Sequence, residues 1–256
     1  MKIIVLVKSC PETSESEVRI TNDGKDIIKD RLVYTINEAD NYALEAALVL
    51  KEKYGGEITL ITFGDKKSEE VLRMGFAKGA DYGIRIESEK EIKDPLTIGQ
   101  IFFSVIKGLE FDLILTGVTS SDYGYGIIGT ALARFLNLPF ATLVKKIEKE
   151  DNHFLIEREL EGGLIEKRRI KLPCLLTIQT GIYPLRYASI LGIKKALAKE
   201  IKLIKLSELG IELKEKIQLE EYFLPKKERE TIFIQGNNEE EIAENLMKIL
   251  KEKNFL

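Results

Sequence analysis

Four β-type runs, each followed by a helix-patterned segment, constrain this chain more than any other feature. The runs are Ile3–Val7, "EITLITFG" at 57–64, "DYGIRIE" at 81–87 and "FDLILTG" at 111–117. Strands this rich in Ile, Leu and Val are buried on both faces. "NEADNYALEAALVLKEKYGG" (37–56) reads as a helix, with Asn37 or Asp40 as its cap, Ala43, Ala47 and Leu50 on one face, and Gly55-Gly56 as its stop. "DKKSEEVLRMGFAKGA" (65–80) is a second helix, with Val71, Leu72, Met74 and Phe76 as its apolar content. "DPLTIGQIFFSVIKGLE" (94–110) is a third, with Pro95 in the first turn, where its missing N–H costs nothing. Between the first strand and first helix, "EVRITNDGKDIIKD" (17–30) reads as a hairpin around Asn22-Asp23-Gly24.

Strand and helix in alternation build a parallel sheet covered on both faces. Such sheets bind ligands outside the carboxyl ends of their strands. The loops that matter are therefore Lys8–Pro11, Phe63–Asp65 and Gly117–Gly126. After Pro139 the pattern changes to strand-like runs with tight turns (141–181) and then to a loop and short helix (183–201). From 201 to 256 the chain is Lys- and Glu-rich. This segment reads as an arm that docks elsewhere, with Ile242, Leu246, Ile249 and Leu250 on one helical face.

The loop after the fourth strand, "TGVTSSDYGYGIIG" (116–129), carries the clearest chemistry. Gly124, Gly126 and Gly129 permit close backbone approach, and Thr119, Ser120 and Ser121 offer hydroxyls. A helix beginning near Ile127 presents free N–H groups and the positive end of its dipole, which together suit a phosphate. The spacing is neither a Walker P-loop nor a dinucleotide fingerprint after strand one. Asp122 also reads as a cap or Asx-turn residue.

Charge excludes one class of partner. A formal net charge of −3 argues against a nucleic-acid binder with a broad basic surface. No apolar run approaches the roughly 20 residues of a membrane span, so a soluble, cytoplasmic protein is expected. The two cysteines, Cys10 and Cys174, make no metal-type pair and read as small core fillers, and His153 reads as a loop residue. No metal site, and no nucleophilic or acid–base constellation, is expected.

Several separated segments together resemble one family. "VK" closes strand one, "INEADNYALEAA" opens the first helix, and "RMGFAKGAD" precedes strand three. The Ser-Ser-Asp loop, "ERELEGG" (157–163) and "PLRYASILGIKKA" (184–196) follow in order. This set resembles the beta (small) subunit of electron transfer flavoprotein over nearly the whole chain, most densely over 112–200. It is especially similar to the form that partners trimethylamine dehydrogenase. The resemblance implies an adenine nucleotide alpha hydrolase-like α/β domain over 1–200, with added β segments and an extended C-terminal arm over 201–256 that packs on a partner subunit.

It further implies a heterodimer with an alpha subunit that carries most of the site for a redox-active FAD, while the beta chain holds a structural AMP. Electrons would pass from flavoprotein dehydrogenases to a downstream acceptor such as a quinone-linked oxidoreductase. Carried over motif by motif, the AMP pocket comprises Leu6, Asn37, Glu38, Ala39, Asp40, Phe63, Gly117, Thr119, Ser120, Ser121, Asp122, Gly124, Gly126, Ile127 and Ile128. One departure matters: AMP-holding members usually carry a polar pair where this chain has Ile127-Ile128. Electron-bifurcating relatives, which hold a second FAD there and oxidise NADH, often have an apolar residue at the second position. They also resemble this chain at Cys10-Pro11-Glu12-Thr13, though not in the rest of the loop. A bifurcating subunit is thus the alternative. A nucleotide-binding module of universal-stress type is a third reading, opposed by the segments added after Pro139.

By residue type alone, Arg158-Glu159 is a surface charge pair. The resemblance aligns Glu159 with a carboxylate that reaches toward the alpha subunit's FAD domain. It aligns Tyr187–Lys195 with a recognition loop for partner dehydrogenases. There Ile190 would be an apolar anchor, flanked by Arg186, with Lys194 and Lys195 steering acidic partners.

Overall fold

A computed structural model describes residues 1–14, 17–30, 32–88, 91–225 and 231–255. They form two compact units, 1–221 and 222–256.

The first unit is built on β1 (Lys2–Leu6), and β2 (Ser9–Pro11) and β3 (Tyr34–Ile36) pair as a small antiparallel ribbon beside it. Next come α1 (Glu38–Tyr54), β4 (Glu57–Phe63), α2 (Glu69–Lys78), β5 (Tyr82–Glu87), α3 (Pro95–Ile106) and β6 (Leu113–Gly117). After α4 (Ile128–Phe135), β7 (Phe140–Glu150), β8 (His153–Glu159) and β9 (Ile165–Lys171) run as an antiparallel meander. The chain then returns as β10 (Cys174–Ile178), and α5 (Ile190–Leu197) and β11 (Lys202–Lys205) complete the unit.

The main sheet has the order β11-β5-β4-β1-β6-β10-β7-β8-β9, parallel from β11 to β7. This is the expected α/β architecture. Burial decides the order: every residue of "CLLTI" in β10 is buried, so this strand fills the slot between β6 and β7. The sheet divides the core into two layers. Ile3, Val5, Leu60 and Leu176 pack under α1 and α2, while Ile4, Ile61, Ile114 and Leu175 pack with α3 and α4. Residues 202–205 pair with β5, and 206–221 follow within the same unit, so the sheet-bound part of the chain continues past residue 200.

Of the apolar residues of α2, Val71, Leu72 and Phe76 are buried and Met74 is 39% exposed. One local expectation changes. The Asn22-Asp23-Gly24 turn forms, with Gly24 at φ +67, but only the bridge Ile20–Ile27 pairs across it. The second unit contains α6 (Glu239–Glu252), started by Asn238, whose Oδ1 accepts the Glu241 N–H at 2.9 Å. Ile242, Leu246 and Met247 of α6 are exposed.

Candidate functional site

The carboxyl ends of β1, β4 and β6 open onto one cleft, whose floor is Leu6, Phe63, Ile98 and Phe102. What ties the ends of β1 and β6 is the start of α1. Asp40 Oδ2 accepts the Lys8 N–H just after β1, and its Oδ1 accepts the Gly117 N–H that ends β6, each at 2.9 Å. Asn37 lies one helical turn earlier on the same face. Its Nδ2 donates to Thr119 O at 2.8 Å, and its Oδ1 accepts the Ser121 N–H at 3.1 Å. The expected role of these residues as caps is therefore corrected: Asn37 occupies the cap position of α1, but its side chain makes no cap bond. Asn37 is spent on the glycine-rich loop, and Asp40 on that loop and the chain just after β1.

Asp40 is 8% exposed. Burial pushes its carboxyl up to about 7, against the opposing pull of the Gly117 and Lys8 N–H groups. Gly117 has no alternative at its position. A Cβ there would lie 2.5 Å from Asp40 Oδ1 and 2.7 Å from the Ala39 carbonyl carbon.

The loop side of the cleft carries Thr119, Ser120, Gly126, Ile127 and Ile128. Gly124 and Gly126 turn the chain with φ of +67 and +62. No side chain caps α4, and Ile127 holds its cap position, so the first N–H groups of the helix have no cap bond. Ser121 and Asn37 act from behind the cleft, while Ala39 packs beneath Gly117. Glu38 points to solvent, and Gly124 stands outside the cleft lining. Asp122 does not cap α4. It accepts the Tyr123 N–H at 2.7 Å and pairs with the Lys8 ammonium at 2.6 Å.

The sequence flagged Lys8 only as part of the loop 8–11, and sequence reasoning missed Lys93, Ile98 and Phe102, which also line the cleft. A signal existed for the last three. A helix that follows a parallel strand begins at that strand's carboxyl end, so the first turns of α3 had to face the same side as the glycine-rich loop.

The remaining predicted positions lie elsewhere on the first unit. Glu159 accepts from Gln179 Nε2 at 3.2 Å and Lys145 Nζ at 3.3 Å, and these bonds hold its carboxyl below the usual range. Arg158 points the other way along the strand and pairs with Glu166, not Glu159. Arg186 is anchored: its Nε donates to the buried Glu45 at 2.8 Å and its Nη1 to Glu52 at 2.6 Å. Beyond that anchor, Tyr187 and Ile190 are 98% and 89% exposed, and Lys194 and Lys195 lie in the last turn of α5.

Burial raises both thiols, Cys10 and Cys174, to about 12, so neither supplies a thiolate. His153 begins β8, opposite Lys171. Among the described residues no cluster of His, Cys, Asp and Glu suits a metal, and no helix is long and apolar enough to cross a membrane.

The fold and this cleft define a protein of the α/β class, with its opening where parallel sheets take ligands. Comparison with known proteins narrows that class. A family model described as "Electron transfer flavoprotein domain" matches residues 26–209. The chain is 35% identical over 263 residues to electron transfer flavoprotein subunit beta of Methylophilus methylotrophus, covering 98% of each chain. It is 35% identical over 256 residues to the subunit of that name from Bacillus subtilis (strain 168), again covering 98% of each. Against the Homo sapiens subunit beta it is 30% identical over 223 residues, 86% of this chain and 87% of the human one. The chain belongs to the electron transfer flavoprotein family, as a beta subunit.

Proposed function

We propose that this chain is the nucleotide-holding half of a two-subunit electron carrier. Its alpha partner would hold most of the FAD, and the cleft described above would hold a structural AMP. The observation that carries the reading is the double tie from Asn37 and Asp40 to the loop at 117–121. Two buried polar side chains of one helix turn are used to shape a glycine-rich loop rather than to cap the helix.

The residues present suit such a ligand. Leu6, Phe63, Ile98 and Phe102 give a base an apolar seat. The uncapped N-terminus of α4 and Ser120 offer donors to a phosphate. Within the complex, FAD supplies the redox chemistry when bound. This chain's part is to bind, orient and dock. Glu159, held by Lys145 and Gln179, would face the partner's FAD domain. The exposed Tyr187, Ile190 and Leu191 would seat donor dehydrogenases, with Lys194 and Lys195 steering them. The unit at 222–256, with Phe223, Leu224 and Phe233 exposed, would wrap the alpha subunit.

A second reading has its own support. Ile127 and Ile128 line the cleft where hydroxyl or amide donors would serve a phosphate, which favours a second FAD in an electron-bifurcating complex. One measurement separates the two. The chain is purified with its co-encoded partner, the complex is denatured, and the released nucleotides are identified. One FAD with one AMP supports the carrier. Two FAD and no AMP moves the assignment to bifurcation. A chain that copurifies with no flavin-binding partner refutes both.

A further inference from the structure

Lys8 joins the two walls of the cleft. Its backbone is fixed at the end of β1: the N–H donates to Asp40 Oδ2 at 2.9 Å, and the carbonyl accepts the Asn37 N–H at 2.9 Å. Its side chain crosses to the glycine-rich loop. There the ammonium lies 2.7 Å from Asp122 Oδ1, 2.6 Å from Asp122 Oδ2 and 4.3 Å from the centre of the Tyr123 ring. Tyr123 in turn stacks on Tyr125, with centroids 5.9 Å apart and planes 15° from parallel, and both rings line the cleft.

This is not an ordinary rim contact. The Lys8 and Asp122 side chains keep only 30% and 21% of their exposure, so the attraction acts in a partly desolvated place where it is less screened. Burial pushes the Asp122 carboxyl up, yet it lies below the usual range because the Lys8 charge and hydrogen bonds outweigh burial. The geometry also raises a problem that needs a solution. A loop shaped for an anionic nucleotide carries a carboxylate, and like charges at short range repel.

We propose that Lys8 is the latch of the glycine-rich loop: by pairing with Asp122 and lying against Tyr123, it holds the loop over the cleft and cancels the carboxylate that would oppose a nucleotide phosphate. Lys8 is a positioning residue, and the proposal rests on the reading of the cleft as a nucleotide seat. Its signature is conditional, since the need for Lys8 exists only while Asp122 is charged.

The test uses the complex of the full chain with its co-encoded partner and follows dissociation of radiolabelled AMP. Lys8→Met is expected to speed AMP release on the order of 10-fold, the size of a coupling between contacting charged residues. Lys8→Arg, which keeps the charge, is expected to release AMP at nearly the wild-type rate. In an Asp122→Asn background, Lys8→Met is expected to change the rate little. Thermal unfolding of each variant shows whether the fold is kept. A folded Lys8→Met complex that holds AMP as the wild type does overturns the latch. So does an equal effect of Lys8→Met in both backgrounds, which would make Lys8 a direct ligand contact. A wild-type complex that releases no adenine nucleotide overturns the reading of the cleft, and the latch with it.

Discussion

Replacing Asp40 with Asn should reshape how stability depends on pH. The carboxylate accepts two backbone N–H bonds, from Lys8 and Gly117, each at 2.9 Å. An Asn side chain has one acceptor oxygen, so its amide faces one of those N–H groups with nothing to accept. A buried donor left unpaired costs about 1–3 kcal/mol at every pH. The charge term has the opposite sign. Burial holds the folded-state carboxyl at about 7, above the ordinary 3.8. Between those values the folded chain keeps a proton that the unfolded chain has released, so the wild type loses stability as pH rises through that window. At about 1.4 kcal/mol per unit, the loss between roughly pH 4.5 and pH 8 is about 3 kcal/mol. The Asn variant lacks this term. It should be the weaker protein near pH 4.5, and the gap should close by about 3 kcal/mol toward pH 8. Urea unfolding of both proteins across that range, with equal nucleotide content, measures the gap, and groups common to both cancel. Parallel profiles, with a gap that stays constant, would refute the reasoning about Asp40.

Three further changes test other contacts. Gly117→Ala drives a Cβ to 2.5 Å from Asp40 Oδ1; the overpacking should cost about 1–3 kcal/mol in chemical denaturation, and an unshifted midpoint would show that α1 and β6 can separate freely. Glu45→Ala removes the buried acceptor of Arg186 Nε and N–H and should cost about 1–3 kcal/mol; limited proteolysis should cut first near 183–189, and unchanged protection there would count against the anchor. Ile190 is 89% exposed, so Ile190→Ala should leave stability within about 0.5 kcal/mol and cofactor content unchanged while slowing electron transfer from the donor. Loss of cofactor in that variant would mean the segment is structural.

The sheet was legible because its signal is local. Ile3–Val7 is apolar without interruption, 57–63 and 113–117 are rich in Ile and Leu, and their carboxyl ends had to gather where β1, β4 and β6 now open the cleft. Gly126 and Ser120, which line that cleft, stood out for the same reason, since residue type alone marks a loop that admits close approach, whereas Ile127 was carried over from the family resemblance.

Only the tertiary structure decided how those parts are used. β10 slips between β6 and β7 because a strand buried along its whole length needs neighbours on both sides, and periodicity within five residues cannot say which. Asn37 and Asp40 look like helix caps in sequence because a cap and a long-range tie ask for the same acceptor oxygen. The choice between them was made when β1 and β6 brought the Lys8 and Gly117 N–H groups, and the loop's Ser121 N–H, within reach of one helix turn. Lys8 lay in a loop the sequence singled out, but its use stayed hidden on the same ground: a lysine just after a strand is ordinary until the fold sets Asp122 and Tyr123 against it.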